Sequence, residues 1–503
     1  MTHSNYQSWG RYPKATHTIA PLYWRTDPLP LPEDHSKKVL PYGMGRSYGD
    51  SCLNNGGTLF PTRALNHFLQ FDSETGILTC EAGVTLGEIL AFCVSKHWFL
   101  PVTPGTQFVT VGGAIANDVH GKNHHRAGTF GNHVLEFELL RSNGERLLCS
   151  PNHNQPYYAA TIGGLGLTGL ITWATLQLKP IHHRALHTET CPFANLDNYF
   201  ELSNESDHFC EYTVAWVDCS ANGPNLGRGL LFRGNHLKPE EVPKHWKVPS
   251  RNFRLPLNLP GFFLNSWTVR TFNQWYYQRQ QPKTTLPILQ DYQPFFYPLD
   301  SIQDWNKLYG KTGFLQYQLT VPAHDRSIIK NIFQTIANSG LNSFLAVLKT
   351  FGDHSSPGLL SFPRPGVTLA LDFPIKGAKT FKLLDYLDDQ VAEAQGAVYP
   401  AKDARLSPRH FQTYFPQWET LANYIDPRFS SSFWRRVTAQ TSPTKPILTN
   451  TSPSENPSTQ QPSTLEANHS PTPSHLGTES PSKPHSTLPT PTNSDKTAQD
   501  ISQ

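Results

Sequence analysis

Nowhere does the chain carry the run of roughly 20 apolar residues that a membrane-spanning helix requires. Its opening stretch, Met1 to Tyr23, also lacks the apolar core of a secretory signal. The expectation is a soluble protein, or one at most peripheral to a membrane. Cysteine is sparse: seven in 503 residues, odd in number and never spaced as CxxC. That argues against a disulfide framework or a zinc ribbon, and for free thiols in a reducing, cytoplasmic compartment. Charge is close to balanced, with 42 Lys and Arg against 39 Asp and Glu and a net charge of +3, so composition gives no footprint for nucleic acid. Histidines gather at His120, His124, His125 and His133, yet no cysteine or paired carboxylate completes a tetrahedral ligand set, and no metal is expected.

What the chain does have is glycine in two concentrated stretches. The first is Tyr42-Gly43-Met44-Gly45-Arg46-Ser47-Tyr48-Gly49-Asp50. The second begins at Pro104-Gly105-Thr106 and resumes as Val111-Gly112-Gly113-Ala114-Ile115-Ala116-Asn117-Asp118-Val119-His120-Gly121-Lys122-Asn123. Without a Cβ, glycine lets successive backbone N–H groups crowd round an anion. Two such nests in one region suit a ligand with a pyrophosphate and a large body, such as a dinucleotide. A third glycine cluster, residues 164–169, matches GxGxxG but precedes a strand instead of following one and opening a helix. It reads as a tight turn.

Around the loops, periodicity predicts short strands and helices. Residues 58–60 and 77–82 read as strands, and 134–140 with 146–149 as a hairpin around Ser142-Asn143-Gly144. Thr85 and Glu88 form a capping box that opens a helix with Leu86, Ile89, Leu90 and Cys93 on its apolar face. Residues 170–178 alternate as a strand that Pro180 ends. Beyond it the order is strand 212–217, strand 314–321, helix 324–339 stopped by Gly340, and strand 343–351. Strand 367–373 and helix 378–394, stopped by Gly396, complete the order. This resembles a split βαβ sandwich, an antiparallel sheet with helices on one face. Between these regions lies an aromatic, proline-rich stretch, residues 253–298, which includes Pro260-Gly261-Phe262-Phe263-Leu264. It reads either as an ordered loop packed over the second domain or as a lid or membrane-facing surface. From residue 440 the chain is Ser, Thr, Pro and Asn without an aromatic, and disorder is expected.

The two loops, taken with their spacing, resemble the FAD-binding domain of the vanillyl-alcohol-oxidase (PCMH-type) flavoprotein family, in the branch that oxidises a lipid-linked ribose. Later segments share the likeness: His120-Gly121-Lys122-Asn123-His124-His125, Gly131-Asn132-His133-Val134, Gly313-Phe314-Leu315-Gln316-Tyr317-Gln318, Asp372-Phe373-Pro374-Ile375-Lys376 and Ala401-Lys402-Asp403. The resemblance implies an α+β fold: two α/β subdomains that clasp FAD, and a substrate domain of antiparallel sheet with covering helices. The implied division is 1–184 for the flavin domain, 185–396 for the substrate domain, 397–439 for a return to the flavin domain and 440–503 for the tail.

By the same resemblance, Gly43, Gly45, Arg46, Ser47, Tyr48 and Gly49 hold the cofactor from the first loop. Gly105, Thr106, Gly112, Gly113, Ala114, Asn117 and His120 hold it from the second, joined by Ile171 and Tyr399. Many members bind flavin through a histidine where this chain has Tyr48, so non-covalent FAD is expected. Lys402, His120 and Lys349 are the implied catalytic residues. Oxidising a secondary alcohol needs an acceptor for the hydroxyl proton, and a desolvated lysine can serve. Gln316 and Gln318, on one strand face by alternation, with Phe296 and Lys122, are candidates for sugar binding. Two departures stand out. Ala370 replaces a cysteine that covalent nitroaromatic inhibitors trap in this branch, and Phe296 replaces a tyrosine.

The implied activity is oxidation of the 2-hydroxyl of a polyprenyl-phosphoryl-β-D-ribose. A separate NAD(P)H-dependent reductase would complete epimerisation to the arabinose form. The alternatives are an aldonolactone or alditol oxidase acting on a soluble sugar, and a protein that binds FAD or polyprenyl phosphate without turnover.

Overall fold

The capping box forms as its spacing dictates. Thr85 Oγ1 accepts from the Glu88 N–H at 3.2 Å, and the Glu88 carboxylate accepts from the Thr85 N–H at 2.7 Å. Two donors that the helix Leu86–Cys93 would leave unpaired are thereby satisfied. That helix buries Leu86, Ile89, Leu90 and Cys93 in one cluster with Leu78, Phe137 and Ala174. These belong to a five-stranded antiparallel sheet, in spatial order Phe68–Phe71, Ile77–Glu81, Leu170–Gln177, Val134–Leu140, Arg146–Cys149. A second, three-stranded sheet is parallel: Thr18–Ile19, Thr58–Pro61 and Val39–Tyr42. The computed structural model describes residues 6–247, 253–254, 258, 265–282 and 286–439. The readings made for residues 260–264 and 440–503 lie outside them.

From Ala185 the chain builds one eight-stranded sheet, antiparallel throughout. Its order is Ile288–Asp291, Ala185–Phe193, Gly229–His236, Tyr212–Val217, Ala346–Phe351, Gly366–Pro374, Phe314–Val321 and Ala397–Val398. Side chains alternate across a strand, and here the alternation divides two environments. Leu315, Tyr317 and Leu319, with Leu348, Leu369 and Leu371, face the helices Leu196–Phe209, Arg326–Ser339 and Ala378–Glu393 in the largest apolar cluster. The intervening residues Gln316, Gln318, Val347, Lys349, Thr368 and Ala370 face a cavity instead.

The final segment closes back on the first glycine loop. After the edge strand Ala397–Val398, Ala401 O accepts from the Tyr48 N–H (2.8 Å) and Leu53 O from the Ser432 N–H (2.7 Å). Arg436, on the helix Ser432–Val437, donates to Asp50 at 2.6 Å and to Asp403 at 2.8 Å.

Several boundaries differ from the sequence reading. The strand expected from residue 343 begins at Ala346, and the helix expected from 324 begins at Arg326, where Asp325 accepts from the Ser327 N–H at 2.9 Å. The helix Ala378–Glu393 is followed by Gln395 in the left-handed region (φ 55°), so Gly396 does not supply that turn. Leu170–Gln177 does not alternate, because it is central and covered on both faces. Nor does Pro180 end the pairing: Lys179–Pro180 forms an antiparallel pair with Trp98–Phe99. Residues 164–169 form a turn ahead of a strand, with Gly166 at φ 73° and Gly164 so close to Ala160 O that a Cβ would sit 2.0 Å away. All seven cysteines are free thiols.

Candidate active site

A cavity of about 1190 Å³ runs between the two glycine loops and the open face of the eight-stranded sheet. That exceeds the roughly 300–1,000 Å³ of ordinary ligand pockets. The loops meet at Gly43, where a Cβ would lie 2.4 Å from Thr110 Oγ1. Thr110 Oγ1 accepts from the Gly113 N–H (3.2 Å), and Asn117 Nδ2 donates to Gly113 O (2.8 Å). Tyr399 reaches across from the return segment and donates to Asn117 O at 2.8 Å. Arg46 stacks on Trp9 at 4.0 Å and Phe108 at 5.1 Å, and its buried Nε has no protein partner. Asp300, beside it, accepts from the Gln107 N–H at 2.8 Å. Glycine-lined backbone facing open space, backed by a guanidinium with an unused donor, fits a pyrophosphate and its dinucleotide.

Every candidate residue named from the sequence lines this cavity except two. Gly49 lies against the return segment instead: a Cβ there would sit 1.6 Å from Asp403 O. Ala114 is fully buried, turned from the cavity into the apolar cluster under the five-stranded sheet.

The sheet side of the cavity is a polar cluster in a dry setting. Lys402 Nζ donates to Gln316 Oε1, and Gln316 Nε2 donates to Asp372 Oδ1 at 2.5 Å. The carboxylate therefore fixes which end of the Gln316 amide meets the lysine. Lys402 Nζ also sits 4.6 Å from the centre of the Tyr48 ring. Burial lowers the Lys402 ammonium to about 8, with the Asp372 charge opposing the shift. Burial raises Asp372 to about 7 against the pull of Gln316 and Lys402.

One residue further on the same strand face, Gln318 Nε2 donates to His120 Nε2 (2.9 Å) and to Thr368 Oγ1 (3.0 Å). That bond makes His120 Nε2 the acceptor and places the ring proton on Nδ1. Burial, then the charge of Lys349, keeps this imidazole neutral. Lys349 Nζ donates to Gly121 O at 3.0 Å; burial, then Lys402 and Lys122, lower it to about 7. Lys122 donates to Phe295 O, lies 4.6 Å from the Phe295 ring centre, and is lowered by burial to about 7.

Asp372 belongs to the segment 372–376, to which the sequence alone assigns no role. Its signal was available, since 368, 370 and 372 share one face of a period-2 strand. Trp216, on the strand Tyr212–Val217, is a further cavity residue to which the sequence alone assigns no role, and it donates to Phe344 O at 3.1 Å. Phe296 is 1% exposed, edge-on to Tyr212 at 4.8 Å. The neighbouring Tyr297 does not replace its missing hydroxyl, because Tyr297 bonds Thr103 Oγ1 at 2.6 Å.

Residues 30–150 match a family profile described as an FAD binding domain. The chain is 36% identical over 449 residues to the decaprenylphosphoryl-β-D-ribose oxidase of Mycolicibacterium smegmatis, spanning 85% of this chain and 96% of that protein. It is 31% identical over 376 residues to an uncharacterised protein of Streptomyces coelicolor, covering 70% of this chain and 100% of the other. A shorter match, 28% over 223 residues, joins 43% of this chain to 48% of the L-gulonolactone oxidase of Bos taurus. A glycine cradle sized for a dinucleotide and a relative matched over nearly its whole length lead to one assignment: the chain belongs to the PCMH-type FAD-dependent oxidoreductases, in the family of decaprenylphosphoryl-β-D-ribose oxidase.

Proposed function

We propose that the chain oxidises the 2-hydroxyl of a polyprenyl-phosphoryl-β-D-ribose to a keto sugar. A separate NAD(P)H-dependent reductase would then finish an epimerisation to the arabinose form. One observation carries the reading. Lys122, Lys349 and Lys402 face one end of the cavity, whereas the only carboxylate lining it among the described residues is Asp300, beside Arg46 and the loops. Lys402 has Asp372 one amide away, but Lys122 and Lys349 are buried with no carboxylate beside them among the described residues, which is costly unless the substrate supplies charge. A phosphoryl sugar does so, and a neutral soluble lactone does not.

In this reading residues 1–184 and 397–439 hold FAD non-covalently, Tyr48 offering no imidazole for a covalent link, and residues 185–396 hold the sugar. Bound FAD supplies the hydride acceptor. Lys402, neutral, takes the hydroxyl proton, while Gln316 and Tyr48 hold its amine in place. Neutral His120, fixed by Gln318, lines the reacting face beside Lys349 and Tyr399. Lys349 and Lys122 receive the phosphate, and Trp216 and Phe296 supply the apolar wall.

Anaerobic titration tests this. A short-chain polyprenyl-phosphoryl ribose should bleach the flavin, with the lactone and unphosphorylated ribose slower by at least roughly a hundredfold, the cost of leaving buried charge unpaired. Faster bleaching by the lactone would give the soluble-sugar reading instead, and no bleaching by any sugar would give the binding-only reading.

A further inference from the structure

The cavity opens beside the helix Ser266–Arg279 and the strand Ile288–Asp291. Phe272 and Ile288 both line it and are 41% and 53% exposed, which marks this as the mouth. Among the described residues, the contacts that hold the helix lie on one side. Val269 and Asn273 are buried, Asn273 Nδ2 donating to Asp218 Oδ1 (3.0 Å) and Ser343 O (3.1 Å). Its outer side carries Trp267, 76% exposed, and Trp275, 53% exposed. Eight residues apart, they share one face of the helix.

Charge on this stretch departs from the rest of the chain. Between Glu241 and Asp291 there is no acidic residue, but there are seven Lys and Arg and nine aromatics. The helix follows that pattern: Arg270 is exposed, and Arg279, also exposed, lies 5.7 Å from the Trp275 ring centre. Exposed tryptophan flanked by arginine, with no carboxylate, matches the boundary between anionic headgroups and acyl chains. There an indole buries its apolar body and keeps its N–H wet, and an arginine reaches lipid phosphate while its stem lies on apolar surface.

We propose that this rim docks on an anionic lipid bilayer. Trp267 and Trp275 enter the headgroup layer, and Arg270 and Arg279 pair with lipid phosphates. Docking aims the cavity mouth at the membrane, so a polyprenyl chain passes from bilayer to site without crossing water. This last step rests on the lipid-linked substrate proposed above; the docking itself does not.

Co-sedimentation of the flavin-loaded, full-length protein with vesicles tests the proposal without any sugar present. Vesicles of phosphatidylglycerol and phosphatidylcholine should bind at least roughly tenfold more protein than phosphatidylcholine alone, and half-molar salt should weaken binding. The variant Trp267→Ser/Trp275→Ser should lose about tenfold or more, and Arg270→Gln/Arg279→Gln should lose the preference for anionic vesicles. Both variants should keep wild-type flavin content and bleach equally with a detergent-dispersed substrate. Three results would overturn docking: equal binding to both vesicle types, no binding to either, or a self-association that the tryptophan variant abolishes while vesicle binding stays absent. Vesicle binding without bleaching by lipid-linked ribose would overturn the substrate reading and leave docking standing.

Discussion

Lys402 has two neighbours that pull its proton in opposite directions. The apolar surroundings favour the neutral amine, and the Asp372 carboxylate, one amide away through Gln316, favours the ammonium. If Lys402 takes the hydroxyl proton it must be neutral, so kcat/KM should rise with pH through about 8. Asp372→Asn keeps an oxygen for Gln316 but removes the charge that raises the lysine, so that limb should move to lower pH. Lys402→Met should lose roughly 10²–10⁴ in rate, and Lys402→Arg should not restore it, because a guanidinium stays charged. Flavin reduction rates across pH check this, and an unmoved limb in Asp372→Asn would separate the carboxylate from the lysine. At this scale the family resemblance pointed to residues that the cavity brings together, as at His120 and Lys402. It was less informative where a residue acts through another: alternation puts Asp372 on the cavity side of its strand, but its link to the cavity runs through Gln316 on the neighbouring strand, and that pairing is not written in either strand alone.

Elements were legible where their signals are local. The capping box at Thr85 and the division of 314–321 into Leu315, Tyr317 and Leu319 on one face and Gln316 and Gln318 on the other depend on neighbours in sequence, and both form as read. Continuous burial of Leu170–Gln177 and the pairing of Lys179–Pro180 with Trp98–Phe99 depend on distant strands, and were not legible. The helix Ser432–Val437 shows what distant contacts add. Arg436 is bonded to both Asp50 and Asp403, which are nearly fully buried. Burial pushes Asp50 up more than Arg436 pulls it down, whereas at Asp403 Arg436 and Arg405 outweigh burial and hold the carboxyl below its usual range. Asp50 is the last residue of the first glycine loop, so this ion cluster fixes that loop to the return segment. Arg436→Met leaves two buried carboxylates short of a cation and should cost about 3–5 kcal/mol, with faster loss of flavin. Thermal unfolding and flavin release, each followed by fluorescence, measure the two effects; a stable variant with unchanged flavin retention would show that the cluster does not hold the loop. A depressed carboxylate stabilises above its unfolded value of about 3.9 and loses that contribution as pH falls further. Asp403 therefore adds acid sensitivity below about pH 4, and the variant should lose that part of it.

At the scale of the whole molecule, the cavity is walled by two parts of the chain far apart in sequence. These are the glycine loops on one side and the open sheet face on the other. They are tied together independently of any cofactor: Asp118 accepts from Ser356 and Ser361 Oγ at 2.5 Å each, Lys122 O accepts from the Thr213 N–H at 2.9 Å, and Gly121 O accepts from Lys349. Removing FAD should therefore leave a folded protein with an unfilled cleft, not an unfolded chain. Tyr48 sets how removal occurs. Its phenol is kept protonated by burial, then by the nearby Asp372 charge, and a phenol cannot form a histidyl link, so on the non-covalent reading proposed above acid precipitation should leave all the yellow colour in the supernatant. Protein stripped under milder conditions should keep its far-ultraviolet circular dichroism. Its Tm should then rise with the logarithm of added FAD, by the equivalent of about 2.7 kcal/mol at a hundred times Kd. Colour remaining on the acid precipitate would place a covalent link at another residue. Loss of the circular dichroism on stripping would mean that FAD, and not the contacts around Asp118, holds the two walls together.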